Sequence, residues 1–475
     1  MAKKDGDSTG PSLRDRHVAM ISIGGVIGAS LFVGSSSAIA IAGNGALLSY
    51  FLAGLIVLCV TRMLGEMTVE SPLSGTFVGQ IRRALGHRTA FVAGWIYWVM
   101  WATILGIEAI AIAGFLSPWV NLPYLVTSLG AVALVTGVNI LSLRGFGEFE
   151  YWFSFLKIMT IVVFIILAGS ALMRGLGRPF LSGGAESLWA EGLLPHGAFG
   201  LLAVIPGIML SMAGAEIATI AAADTPHPAR NVARATRSVV LRIMIFYLLS
   251  IGLILLLVPS RAIVIGQSPF LSALDRIGVP FAALLITGVM LIATFSALNS
   301  GVYICARILH ELASQGDAPA FFLTTASSGR PVRGILCGSL FAVVIVVVAA
   351  LAPARIFSLL VNTSGAFILF DYVLVVLAHI RLRRKAMQEG RESALPMWGF
   401  PWLSYMTLAS ILLALATMLF ASPHTRQEIL LSLLGLFVVV GIEWFSFGKR
   451  PAGKLPLNTA EQPLSCTTPA QRHTP

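Results

Sequence analysis

The sequence predicts an all-α, multi-pass membrane protein with twelve transmembrane helices. Of its 475 residues, 57% are hydrophobic and 11% are charged, and the mean hydropathy of +0.87 is far above that of soluble domains. Apolar stretches long enough to cross a bilayer, about 20 residues each, recur from Val18 to Phe445. Two of these stretches are interrupted by glycine clusters, which predicts that they do not cross as continuous helices.

The predicted spans follow one another with short polar connections. They cover residues 18–42, 45–66, 91–116, 122–143, 151–172, 197–222, 240–259, 279–306, 334–352, 356–378, 398–420 and 428–447. We divide the chain into an N-terminal tail (1–16), a core (17–380) made of two repeats (17–172 and 197–380), the last two spans (381–447) and a C-terminal tail (448–475).

The glycine clusters predict how the two repeats are related. The first span contains Gly24, Gly25 and Gly28, and the sixth contains Pro206 and Gly214. Five spans separate the two clusters, and an odd number of spans makes the second repeat enter the membrane from the opposite side. Interrupted helices at matching positions are typical of inverted-repeat transporters.

An interrupted span in hydrocarbon needs polar partners, because an unpaired peptide group there costs several kcal/mol. The break in the first span leaves amide N–H groups at residues 25–30 and the positive end of a half-helix, which suits a carboxylate. The break at 211–215 leaves carbonyl groups, which suit an ammonium. Close packing of helices through small residues is the alternative explanation for each cluster taken alone.

The distribution of Lys and Arg predicts the orientation. Most of the 32 lie at one set of loops and helix ends, so we expect both termini to be cytoplasmic. The basic loops account for the net charge of +11 by contact with lipid, which argues against a nucleic-acid partner. The basic residues predicted outside are Arg174, Arg178, Arg261, Arg276, Arg355 and Arg426.

Three ionisable residues stand out inside predicted spans: Glu108, Lys157 and Glu216. Placing a charged side chain at the bilayer centre costs about 2.5–3.5 kcal/mol, so each of these residues is expected to have a functional or structural role. Asp371 in the tenth span and Glu443 in the twelfth are less informative, because they lie outside the two interrupted spans. Lys157 either extends to the interface or alternates between charged and neutral forms as a proton-coupling group. Glu216 either binds a substrate ammonium or a proton, or holds the break open by hydrogen bonds. For Glu108, a structural role and a direct role both remain open.

Several stretches resemble one known family over about residues 16–444. They are "RHVAMISIGGVIGASLFVGS", "RMLGEMTVESPLSGTF", "GWIYWVMW", "FGEFEYWFSFLK", "GAEIATIAAADTPHPARNVARATRSVVLRIMIFYLLSI", "LNSGVYICARILHELASQGDAPA" and "MWGFPWL". Together they resemble the bacterial amino acid transporter family of the amino acid-polyamine-organocation superfamily. Within it, "GVIGASLFVGSS", "GAEIATIAAA" and "FGEFE" are most similar to the γ-aminobutyrate (GABA) permease branch.

The resemblance implies a leucine-transporter-like fold, with a 5+5 inverted repeat plus two helices, in a bacterial inner membrane. It also implies proton-driven amino acid uptake by alternating access, with the proton as coupling ion and no cofactor or metal. Lys157 and Glu216 match the family's residues in spans five and six, which implies a coupling role for both. Carried over by position, the carboxylate would meet Val26, Gly28, Ala29 and Ser30, and the amine would meet Ser211, Met212 and Gly214.

Two departures from the family pattern bear on the substrate. Most members read G-T-G-L-F where this chain has "GASLF" from Gly28, so Ala29 lacks a hydroxyl, as it does in the GABA branch. Leu210 and Met212 stand where aromatic residues are common in the family. An aromatic gate over the substrate is therefore missing or supplied from elsewhere in the fold.

The leading hypothesis is proton-coupled uptake of GABA or a related zwitterion. A permease for another neutral or aromatic α-amino acid is the alternative within this class, and a non-transporting amino acid sensor is the alternative outside it. An enzyme is disfavoured, because the chain lacks a metal motif, a nucleophile elbow and a phosphate-binding loop. The sequence gives no indication of the oligomeric state.

Overall fold

The computed structural model describes residues 27–71, 76–141, 146–175, 190, 192–214, 216, 228–325, 331–350, 353–421 and 423–447. Within these ranges the chain forms helices and turns, without a strand. Nine helical segments of this part are long and apolar enough to cross a membrane. The all-α, multi-pass prediction is therefore confirmed.

Sixteen α-helices and three short 3-10 turns make up the described ranges. The turns cover Gly43–Gly45, Ser260–Ala262 and Ala320–Leu323. The helices are α1 (Ala29–Phe32), α2 (Gly34–Ala42), α3 (Ala46–Glu70), α4 (Phe77–Leu85), α5 (His87–Leu116), α6 (Tyr124–Leu141), α7 (Phe146–Gly175), α8 (Gly197–Ala203), α9 (Ile205–Ser211), α10 (Pro228–Leu257), α11 (Pro269–Arg276), α12 (Ala282–Ser314), α13 (Val332–Ala349), α14 (Pro353–Gln388), α15 (Trp402–Ala421) and α16 (Pro423–Phe447).

The first and sixth predicted spans coincide with pairs of short helices, whereas each of the other ten coincides with one continuous helix. α1 and α2 are separated at Val33, and α8 and α9 at Val204. Residues 18–26 and 217–222, at the remaining ends of these two spans, lie outside the described residues.

A tight turn separates α2 from α3. The stretch Ala29–Glu70 has 42 residues, about twice what a bilayer requires, so it must reverse direction. It does so at Gly43, whose φ of +60° lies in the left-handed region that favours glycine. A Cβ at Gly43 would lie 2.5 Å from Cγ of Pro195, so the loop before α8 packs closely over this turn.

α5 is the central helix of the fold. It packs against α6, α12, α13 and α14, and its side chains are buried along most of the stretch from Ala90 to Ala113. A helix that is apolar on all sides and buried along its length is typical of a core position. α5 therefore provides a fixed surface against which the shorter helices are placed.

One end of the helix bundle is closed by the amphipathic helix α4. The Thr76 hydroxyl at its start donates to Oε1 of Glu311 at 2.9 Å, and Arg82 near its end pairs with Asp317, which follows α12. Trp95 of α5 donates to the Asp317 carbonyl at 3.0 Å. α4, α5 and the end of α12 are thus tied together at the side predicted to be cytoplasmic.

A second set of contacts closes the same end between α3 and α14. Oε2 of Glu66 lies 2.8 Å from Nε2 of His379 and accepts the Met397 backbone N–H at 2.8 Å. Its Oε1 lies 3.2 Å from Nη1 of Arg383. The segment between α14 and α15 is therefore pinned across both helices.

α9 and α14 approach each other backbone to backbone. A Cβ added at Gly365 of α14 would lie 2.3 Å from the carbonyl oxygen of Pro206 in α9. A glycine at this position is what lets the second half of the broken sixth span lie directly against α14.

We expect Gly365→Ala to destabilise the protein by about 1–3 kcal/mol, because the backbone of α9 would have to shift to admit the methyl group. The measurement is the melting temperature of the detergent-solubilised protein. Gly288→Ala on α12 is the matched control, since a Cβ there meets nothing within 4 Å. Equal melting temperatures for the two variants would contradict the assignment.

Candidate functional site

The break in the first span lies against a buried carboxyl group of α5. Gly28 has an extended backbone, and the helix begins at Ala29, whose N–H donates to Oε2 of Glu108 at 3.3 Å. A Cβ at Gly28 would lie 2.6 Å from Oε1 of Glu108, so a side chain at this position would displace the carboxyl group. The peptide groups predicted to suit a carboxylate thus bind one that the protein itself supplies.

The break in the sixth span begins where α9 ends at Ser211. The carbonyl of Ser211 accepts the hydroxyl of Tyr247 of α10 at 2.7 Å, and its own hydroxyl donates to the Ile208 carbonyl at 2.6 Å. Gly214, with φ of +104°, completes the turn. Part of the polar backbone predicted to face an ammonium is therefore satisfied by Tyr247.

Glu216 connects this break to two long helices. Its Oε1 accepts the Tyr97 hydroxyl of α5 at 3.1 Å. Its Oε2 accepts the Gly214 N–H at 3.1 Å and the Tyr372 hydroxyl of α14 at 3.4 Å. These bonds place a carboxylate beside the interrupted backbone, and the two predicted roles of Glu216, in binding or in support of the break, stay predictions.

Lys157 is fully buried on α7 and does not extend to the surface. Its Nζ donates to the Ser296 hydroxyl of α12 at 3.0 Å, and its charge attracts that of Glu108. The buried cation thus lies between α7 and α12 and interacts with the carboxyl group that binds the start of α1.

A cavity of about 30 Å³ lies between the two breaks. It has room for about two water molecules, so an amino acid can enter only if one of the broken segments moves. A second cavity of about 60 Å³ shares Ser30 with the first and extends past Tyr50 to Gly266 and Asn362. The first cavity is lined by Gly28, Ser30, Trp101, Ile104, Glu108, Leu210, Ala213 and Ala297.

The structure brings together part of the predicted site. Gly28 and Ser30 line the cavity, and Ala29 lies beside it through its bond to Glu108. In the described part of the sixth span the cavity wall is Leu210 and Ala213, whereas Ser211, Met212 and Gly214 lie in the adjacent turn. Val26 lies outside the described residues.

Sequence reasoning missed the tyrosine and serine partners of these groups. Their helices are far away along the chain, and tyrosine within an apolar span is equally typical of a membrane interface. Trp101 is the aromatic side chain of the cavity wall, so α5 supplies an aromatic where Leu210 and Met212 do not. The missed residues are Tyr97, Trp101, Tyr247, Ser296 and Tyr372.

The profile of the family described as "Amino acid permease" matches residues 17–451. A gamma-aminobutyric acid permease of Bacillus subtilis is 40% identical over 442 residues, which cover 92% of this chain and 93% of the relative. One of Escherichia coli is 38% identical over 433 residues, covering 90% and 93%. The aromatic amino acid transport protein AroP of Corynebacterium glutamicum is 32% identical over 430 residues, covering 90% and 93%.

We expect Tyr247→Phe to lower stability by about 1–3 kcal/mol, because it leaves the buried Ser211 carbonyl without its donor. The melting temperature of the detergent-solubilised protein measures this. Tyr50→Phe is the control, since it removes a hydroxyl from the neighbouring ring, 6.1 Å away between centroids, and leaves the bond to Ser211 intact. An unchanged melting temperature in Tyr247→Phe would show that the bond does not support the break.

Proposed function

This chain belongs to the amino acid permease family. On that premise we propose that it is a secondary active transporter, which takes up GABA together with a proton by alternating access. The observation that carries the proposal is the meeting of the start of α1 and the end of α9, where the two spans are interrupted, at one buried cavity. Interrupted helices at membrane depth require polar partners, and a zwitterion supplies one for each break.

The proposed architecture has twelve spans, with spans one to five and six to ten forming an inverted repeat and both termini in the cytoplasm. The positions of the two broken segments, in the first and sixth spans, support it. On this topology the contacts of Arg82 with Asp317 and of Glu66 with His379 close the cytoplasmic end. The larger cavity of about 60 Å³, which also contacts Ser30, then lies on the path to the outside of the cell.

The substrate carboxylate takes the position at the start of α1 that Glu108 approaches in the structure. The N–H groups around Ala29 and the hydroxyl of Ser30 are its proposed donors, and the ammonium lies toward Gly214 and Glu216. Trp101, Ile104 and Leu210 contribute the apolar wall of the cavity, which suits the methylene groups of GABA. The GABA permeases among the relatives support this choice of substrate.

Lys157 is the proposed link between the proton and the first break. While charged, it binds Ser296 and attracts Glu108, so α1 is held between α5 and α12. Loss of its proton to water from one side removes the attraction and frees α1 to move. Proton transfer at Lys157 is thereby coupled to movement of α1, which carries the proposed site for the substrate carboxylate.

A neutral or aromatic α-amino acid is the second candidate substrate. The similarity to AroP supports it, as does the indole of Trp101 in the cavity wall, against which an aromatic side chain could stack. The apolar wall and the two breaks serve either zwitterion, so competition between substrates decides between them.

In proteoliposomes with an alkaline interior, we expect labelled GABA to accumulate above its equilibrium level, and collapse of the pH gradient to abolish the excess. Unlabelled GABA should compete more strongly than phenylalanine or other α-amino acids. Stronger competition by phenylalanine would favour the second candidate. Saturable binding without any flux would indicate a sensor and overturn the proposal.

We expect Lys157→Ala to lose gradient-driven accumulation while keeping exchange of labelled for unlabelled substrate, because binding remains and proton coupling does not. The accumulation ratio should fall to that of simple equilibration. Arg174→Ala is the control, because it removes an exposed cation from the end of the same helix. Accumulation by Lys157→Ala at the wild-type ratio would exclude this lysine from coupling.

A further inference from the structure

Asp371 of α14 is a buried carboxyl group that no described residue satisfies. Its side chain is about 1% exposed, and neither Oδ1 nor Oδ2 has a hydrogen-bond partner among the described residues. Buried polar atoms are almost always hydrogen-bonded, and an ionised carboxyl at membrane depth without a partner is especially costly. The group therefore requires a ligand that supplies the missing interaction.

Glu216 is the ionisable neighbour of Asp371. Tyr372, the next residue along α14, donates its hydroxyl to Glu216, and the charges of Asp371 and Glu216 repel each other. Glu216 has three donors for its two oxygens, whereas Asp371 has none among the described residues. Two buried carboxyls whose charges repel each other are stabilised by one proton between them, and the group without donors is the one that carries it.

The other charged groups on the helices packed against α14 are engaged elsewhere. Glu66 and Glu70 of α3 pair with His379 and Arg383, which lie two to three turns after Asp371 on α14. Among the described residues, Glu216 and Tyr372 are the titratable groups that interact electrostatically with Asp371, and neither is a cation. The remaining pairs on these helices are Arg88 with Glu443, Asn362 with Glu428, and Arg82 with Asp317.

We propose that Asp371 and Glu216 form a single proton-binding site, with the proton on Asp371 in this arrangement, that controls the contact between the broken sixth segment and α14. The proposal rests on the proposed proton-coupled transport and adds Asp371 to it. Release is a proton transfer only: the O–H bond of Asp371 breaks and the proton passes to water.

The position of the pair explains why its proton matters. Glu216 belongs to the interrupted segment, and Asp371 belongs to the continuous helix α14, so a second negative charge pushes the two elements apart. Farther back along both elements, Gly365 and Pro206 hold α14 and α9 together at the backbone. Repulsion at one end and contact at the other would turn the segment about Gly365.

Infrared spectroscopy of the purified protein in D2O tests the site without any transport. We expect a carboxylic acid C=O band in the wild type that disappears as the pH is raised and is absent in Asp371→Asn. Glu443→Gln, which removes another buried carboxyl, is the control and should leave this band unchanged. A band that survives in Asp371→Asn with its pH dependence unaltered would overturn the assignment.

Transport then tests the consequence in the same preparations. We expect exchange by Asp371→Asn to lose its dependence on pH, because the amide stays neutral throughout the range. Wild-type pH dependence in this variant would refute the proposal, as would loss of the infrared band on adding Na⁺ at constant pH. If the wild type fails to accumulate any amino acid, the proposed function fails, while the infrared result still decides the proton site.

Discussion

The absence of water from the bilayer interior is the constraint on which this structure depends. Each interruption of a helix frees peptide groups, and each freed group must find a partner within the protein. The partners are specific: Glu108 for the Ala29 N–H, Tyr247 for the Ser211 carbonyl and Glu216 for the Gly214 N–H. The two breaks therefore determine which side chains of the neighbouring helices must be polar.

The same constraint explains why α5 is the central helix. It supplies Glu108 to the first break and Tyr97 to the second, three turns apart on one helix, and Trp101 between them lines the cavity. A rigid helix that contacts both breaks keeps their separation fixed. The short segments around the breaks can then move while both remain in contact with α5.

Much of the fold followed from the sequence, because hydrophobicity and length predict membrane helices well. The cost of burying a charge also singled out Glu108, Lys157 and Glu216. Glu108 and Glu216 contact the two breaks, and Lys157 interacts with Glu108. The tyrosines could not be predicted, because Tyr97 and Tyr372 meet at Glu216 only through packing between distant parts of the chain. Asp371 is also a charge inside a span, but it lies outside the two interrupted spans, and only the packing of the tenth span relates it to Glu216.

The small size of the cavity has a consequence for how ligand preference could change. A space of about 30 Å³ does not itself discriminate between amino acids, so selection must occur in another arrangement of the broken segments. A substitution can then alter preference by changing how often that arrangement is populated, without touching the ligand. Substitutions at the contact between α9 and α14 are therefore one way in which substrate preference can differ between relatives.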